Sequence, residues 1–164
     1  SATMDFTTGI DSRFNALRFH LFGVLPANAA ANLVLRVSED AGSNWKAGAA
    51  DYRYAIAQVQ DNAGTFSSNV STGAAQLMVC AAQDNGASAL LVGTAKVLNP
   101  SATGAHKAFQ TRTTYKIAAG VGFATNGGGH YVSTTNAING VRFLYSAGNI
   151  ASGLIVLEGR LAIG

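Results

Sequence analysis

The chain has 164 residues, 48% of them hydrophobic and only 12% charged, with a formal net charge of +3 and a single cysteine. That length suits one domain, residues 1–164, burying roughly 70% of its extended-chain surface, and one cysteine excludes a disulfide framework. The positive charge is spread thinly along the chain, with no cluster of the kind that grips a phosphate backbone, which argues against nucleic acid.

Charged residues stand at about half their usual share, so Ser, Thr, Asn, Ala and Gly must keep the surface in water, a palette typical of rigid extracellular or virion proteins. No continuous apolar run reaches the length of a membrane span, and SATMDF lacks the layout of a signal peptide. A start on Ser1 suggests a processed chain or a domain cut from a longer one, such as its C-terminal part.

In chain order, NALRFHLFG is the first clear strand. It points Leu17, Phe19 and Leu21 one way and Arg18 and His20 the other. ANAAANL, residues 27–33, is alanine-rich and has room for a helical turn but no sustained apolar stripe. NLVLRVS follows, with Leu33, Leu35 and Val37 on one face.

SEDAGSNW, residues 38–45, then interrupts the alternation. Its form, Ser-x-Asp-x-Gly-x-x-Trp, resembles the aspartate box of sialidases and other propeller proteins. The demands it makes are structural: Ser38 and Asp40 accept backbone N–H bonds, Gly42 takes a left-handed conformation, and Trp45 folds over a hairpin. One such box in a chain without internal repeats predicts a hairpin turn.

Strands are predicted at Tyr52–Gln60, Gln76–Ala81 and Leu90–Leu98. STGAAQLMVCAAQ, residues 71–83, competes as a second short helical turn, and Cys80 within it reads as a small buried hydrophobe. KAFQTRTTYKI sets Phe109, Thr111, Thr113, Tyr115 and Ile117 against Gln110, Arg112, Thr114 and Lys116. GVGFATNGGG, residues 120–129, opens like a dinucleotide loop, but Thr125 stands at the third glycine position and no helix or acidic partner follows, so it reads as a long flexible loop. His130–Thr134 is a weaker strand.

The closing run predicts two strands, Val141–Ser146 and Gly153–Leu161, joined as a hairpin by AGNIASG. That makes about nine strands. The expected architecture is an all-β antiparallel β-sandwich of jelly-roll type.

Catalytic chemistry finds little footing. The two glutamates, Glu39 and Glu158, and six aspartates, mostly in turn-like settings, offer no acid pair. His20, His106 and His130 are too dispersed for a metal motif, and no GxSxG or HExxH run occurs. No catalytic residue, metal or cofactor is expected. For ligand binding the candidates are Trp45, Tyr52, Tyr54, His130 and Tyr131, because sugar rings stack on aromatics in sandwich loops. Outward apolar residues such as Leu144, Leu154 and Val156 suggest a surface covered by further copies, a trimer.

Four stretches together resemble structural domains of tailed bacteriophages and prophages: TMDFTTGIDSRFNALRFHLFGVLPAN, LVLRVSEDAGSNWKAGAADYRYA, VLNPSATGAHKAF and INGVRFLYSAGNIASGLIVLEGRL. The last, with SAGNIASG between two strands, is the most specific. What the resemblance implies is a virion component on the outer surface of the particle. It would be a β-sandwich module of a tail fibre or related appendage, commonly trimeric, with other virion proteins and in some cases host-surface glycans as partners. A capsid decoration protein that locks neighbouring capsomers is the alternative.

Overall fold

The structure, a computed structural model, describes residues 1–161. Among them are eleven strands and no helix: β1 Thr3–Phe6, β2 Phe14–Pro26, β3 Ala31–Ser38, β4 Tyr52–Gln60, β5 Phe66–Ala74, β6 Leu77–Gln83, β7 Leu91–Leu98, β8 Lys107–Lys116, β9 Gly122–Tyr131, β10 Gly140–Tyr145 and β11 Ile150–Leu161. They form a four-stranded sheet in the order β1-β10-β3-β6 and a seven-stranded sheet in the order β11-β2-β7-β8-β9-β4-β5. Every pairing is antiparallel. The molecule is an antiparallel β-sandwich.

The period-two pattern explains the layers. In β2, Leu17, Phe19 and Leu21 are fully buried, and in β3, Leu33, Leu35 and Val37 are too. Side chains from the two sheets meet in one core, where the Phe19 ring lies 5.2 Å from that of Phe143 on β10, edge to face, and 5.1 Å from Phe6 of β1. Each such aromatic or leucine, once buried, contributes roughly 1.5–3 kcal/mol. Cys80 is buried in the same core, which pushes its thiol up to about 12.

Most polar groups that enter the core are satisfied, the Thr111 hydroxyl on β8 being an exception without a partner among the described residues. Buried Gln83 donates to the carbonyls of Val24 and Ala89 at 2.8 and 2.9 Å and accepts from the Tyr145 hydroxyl at 2.7 Å. On β8 the inward set is Phe109, Thr111, Thr113 and Tyr115, as the alternation predicts, and the Thr113 hydroxyl meets that of Thr125 at 2.6 Å.

Several local expectations are corrected. GVGFATNGGG is not a loop: residues 122–131 form β9, paired along its length with β8 and β4 in the middle of the large sheet. That strand ends at Tyr131, so the strand expected over His130–Thr134 does not form; Val132 already bonds the Asp51 carbonyl outside the ladder. Neither alanine-rich stretch is helical, since 31–38 is β3 and 71–83 holds the end of β5 and all of β6.

The two expected hairpins are also absent. β10 pairs in the small sheet and β11 in the large one, so SAGNIASG carries the chain across the sandwich. Residues 39–51 likewise lead from β3 in the small sheet to β4 in the large. Alternation fixes which face of a strand is wet but not which neighbour it pairs with.

Candidate binding face

The seven-stranded sheet has one face on the core and one open. Because alternate residues share a face, the strand register assembles the open face row by row. One row runs Glu158, Arg18, Lys96, Gln110, Gly128, Ala55 and Val70 from β11 to β5. The next runs Val156, His20, Thr94, Arg112, Asn126, Ala57 and Ser68. A third sets Val92, Thr114, Ala124, Val59 and Phe66 side by side.

The chemistry therefore changes across the sheet. Toward β2, β7 and β8 the face is cationic and rich in amides; in the middle β9 and β4 supply glycine and alanine between Asn126, Val59, Arg53 and His130; along β5 it ends in exposed Phe66 and Val70. The result is a shallow trough with three hollows of similar size, one of about 390 Å³ among His20, Phe22, Val92 and Thr114 and two others. One of those two, of about 400 Å³, is lined by Arg18, Thr94, Lys96, Gln110, Arg112 and Asn126. The other, of about 430 Å³, lies where Arg53, Tyr54, Ser71, Thr72 and His130 surround the glycines of β9.

At its β11 rim the trough carries the acid Glu158. Glu158 sits in register with Arg18, yet its carboxylate lies 2.6 Å from Nε2 of His20 on the next row. The His20 hydrogen bond, with help from Arg18 and Arg160, holds the Glu158 carboxyl below its ordinary value.

The sequence candidates scatter. Exposed His130 lines the hollow around the β9 glycines; Tyr54 borders it but is half-buried and packs against the core. Tyr52 and Tyr131 do not reach any surface: both are fully buried, with ring centroids 5.5 Å apart, so neither ring has a face to offer a sugar. The Tyr52 hydroxyl accepts from the Val37 N–H at 2.8 Å and donates to the Lys46 carbonyl at 3.1 Å. Trp45 lies over the outer side of the small sheet, where its ring sits 4.4 Å from the guanidinium of Arg142. The three apolar positions suggested as one surface also separate, Leu144 on β10 of the small sheet and Leu154 and Val156 on β11 of the large.

The octet behaves as turn chemistry in a connection between sheets. Ser38 Oγ accepts from the N–H groups of Asp40 and Gly42 and donates to Asp40 Oδ1 at 2.6 Å. Asn44 donates to Asp40 from both its backbone and its amide. Bonds from Ser38 and Asn44 hold the Asp40 carboxyl at about 2. Gly42 is needed for its left-handed φ of 91° and because a Cβ there would stand 2.7 Å from Thr7 Cγ2.

What the sequence reading missed is the cationic group itself. Arg18, Lys96 and Arg112 are far apart in the chain, and only the pairing of β2, β7 and β8 gathers them. The charge that looked evenly spread is locally concentrated. Among the described residues no three His, Cys, Asp or Glu side chains come together in a metal-holding group. No protein-family model, curated protein or solved structure matches the chain.

Proposed function

We propose that this chain is a non-enzymatic structural module of a phage virion, the receptor-facing domain of a tail fibre or related appendage, working through the open face of its large sheet. The observation that carries the reading is the trough: a broad, uncovered sheet face with glycine and alanine on its floor, hydrogen-bonding and cationic walls, and hollows sized for sugar units. The resemblance of four chain segments to tailed-phage structural domains supplies the virion setting, and host-surface glycans are the partners such a face would meet there.

The strand order supports a jelly-roll framework, with β1, β10, β3, β6 opposite β2, β7, β4, β5, once the β8–β9 hairpin and β11 are taken as additions to the large sheet. Self-association is the second part of the reading. Phe22, Val92 and Leu154 are about half exposed on the open face near its β11 edge, and Leu90 is equally exposed beside them. Such a cluster is larger than scattered surface apolar residues and fits contact with sister copies, in a trimer.

Two measurements test this. Light scattering at micromolar concentration is expected to return a trimer, and an array of bacterial surface glycans to return specific binding that His130→Ala weakens. A stable monomer overturns the assembly; a trimer silent on every glycan overturns the receptor role and favours capsid decoration.

A further inference from the structure

We infer that the hollow framed by Arg18, Lys96 and Arg112 is an anion site, built to take a carboxylated or sulfated sugar unit. Arg18 of β2 and Lys96 of β7 are direct cross-strand partners, and like charges so placed repel. Register offers Arg18 a carboxylate on its other side, but Glu158 is turned to His20. Arg112 stands one strand beyond Lys96, opposite Thr94. Among the described residues, none of the three cations has an ion pair or a hydrogen-bonded side-chain partner.

Three cations without a direct ion pair, only Arg18 feeling the field of Glu158, are held together by the fold and relieved by an incoming anion. With strands about 4.8 Å apart and a two-residue step of about 7 Å, the three groups are spaced to reach one anionic sugar and its neighbour. The remaining walls define the rest of the ligand. Thr94, Gln110 and Asn126 both donate and accept, as sugar hydroxyls require, while the guanidinium groups suit a carboxylate or sulfate bidentately. No aromatic ring lines this hollow, which removes the stacking platform that single-stranded nucleic acid uses.

The inference rests on the reading of the open face as a glycan surface and narrows it to acidic glycans at one of its hollows. It is tested by calorimetric titration of the full chain with an alginate tetrasaccharide, a heparin tetrasaccharide, neutral maltotetraose and a ten-nucleotide single strand. At least one acidic tetrasaccharide is expected to bind, and Arg112→Gln to weaken it about tenfold or more. Lys96→Glu has a double signature: affinity falls while the melting temperature rises, because a repelling pair with Arg18 becomes an attracting one. Failure of both acidic probes to bind, unchanged affinity in both variants, or tighter binding of the oligonucleotide overturns the site. If neutral glycans bind the open face and acidic ones do not, this inference falls and the proposed function stands; if no sugar of either class binds, both fall.

Discussion

Tyr131, at the end of β9, donates its phenolic hydrogen to the carboxylate of Glu39, 2.9 Å away, just past the end of β3. One bond thus ties the large sheet to the small one. Thr134 and Asn136 donate to the same carboxylate, and the Lys46 ammonium pairs with it at 3.1 Å. The Glu39 backbone carbonyl takes the amide of Asn139, whose oxygen in turn accepts from the Ala41 N–H. The first half of the connection after β3 is thus pinned.

Acid sensitivity follows from that carboxylate. Partial burial by itself would raise the Glu39 carboxyl, but the bonds from Thr134, Tyr131, Asn136 and Lys46 outweigh it and bring it to about 2 from an ordinary 4.5. A folded value below the unfolded one gives stability that is complete above about pH 4.5 and lost as pH falls toward 2, on the order of 2 kcal/mol after solvent screening. Glu39→Gln is expected to lower the melting temperature at pH 7 and to flatten the fall in stability between pH 4.5 and 2. A variant with an acid limb as steep as the parent would refute this role.

The three consecutive glycines of β9, Gly127 to Gly129, have no room for a side chain. A Cβ on Gly128 would stand 2.1 Å from the Phe109 carbonyl oxygen on the neighbouring strand, a backbone atom that cannot step aside. Gly128→Ala is therefore expected to cost about 3 kcal/mol, in the range of overpacking and backbone strain. Urea unfolding checks this; a change below about 0.5 kcal/mol, the size of a neutral surface substitution, would show that the strand can move apart.

Lys107 opens β8 with its side chain buried, 1% exposed, and no direct ion pair among the described residues, although it feels the field of Glu39. Its ammonium donates instead to the carbonyls of Ala102, Ala105 and Thr135, at 2.6, 2.9 and 3.1 Å. Lys107→Met keeps the length and leaves those carbonyls unpaired, an expected loss of about 2 kcal/mol. Hydrogen exchange should rise in the loops on both sides, residues 99–106 and 132–138, more than in the sheets. Uniform exchange across the chain would argue against a local pin.

The sandwich itself was legible because β2, β3 and β8 display the period-two pattern along their length, and Cys80 sat in a run that only a core could hold. β9 was illegible for a physical reason. Three consecutive glycines carry no polarity to alternate, and the strand exists because β8 and β4 grip its backbone from either side. β5, FSSNVSTGA, is an edge strand wet on most positions, so it shows no buried face. The binding face was hidden one level deeper. Arg18, Lys96 and Arg112 read singly as wet-face residues of separate strands, and their meeting depends on non-local pairing that no local pattern encodes. Tyr52 and Tyr131 failed as ligand contacts because an aromatic near a loop can as readily plug the gap between two sheets.

Trp45 is better suited to reporting on the fold than to binding. Its ring covers Arg142, whose guanidinium is held by Asp5 through two bonds of 2.8 and 2.6 Å, so tryptophan, arginine and aspartate stack from the 39–51 connection through β10 to β1. The Arg142 bond lowers the Asp5 carboxyl, which keeps the pair charged at neutral pH. Trp45→Ala is expected to cost about 1 kcal/mol, the worth of a partly exposed cation–π contact, and to leave glycan affinity unchanged, because the ring lies on the far side of the sandwich from the trough. Since Trp45 is the only tryptophan, its fluorescence reads this stack alone: Asp5→Asn, which frees Arg142, should shift the emission to longer wavelength with no change in the binding of any sugar. Loss of binding in Trp45→Ala, with folding intact, would move the functional surface to the small sheet and overturn the assignment of the open face.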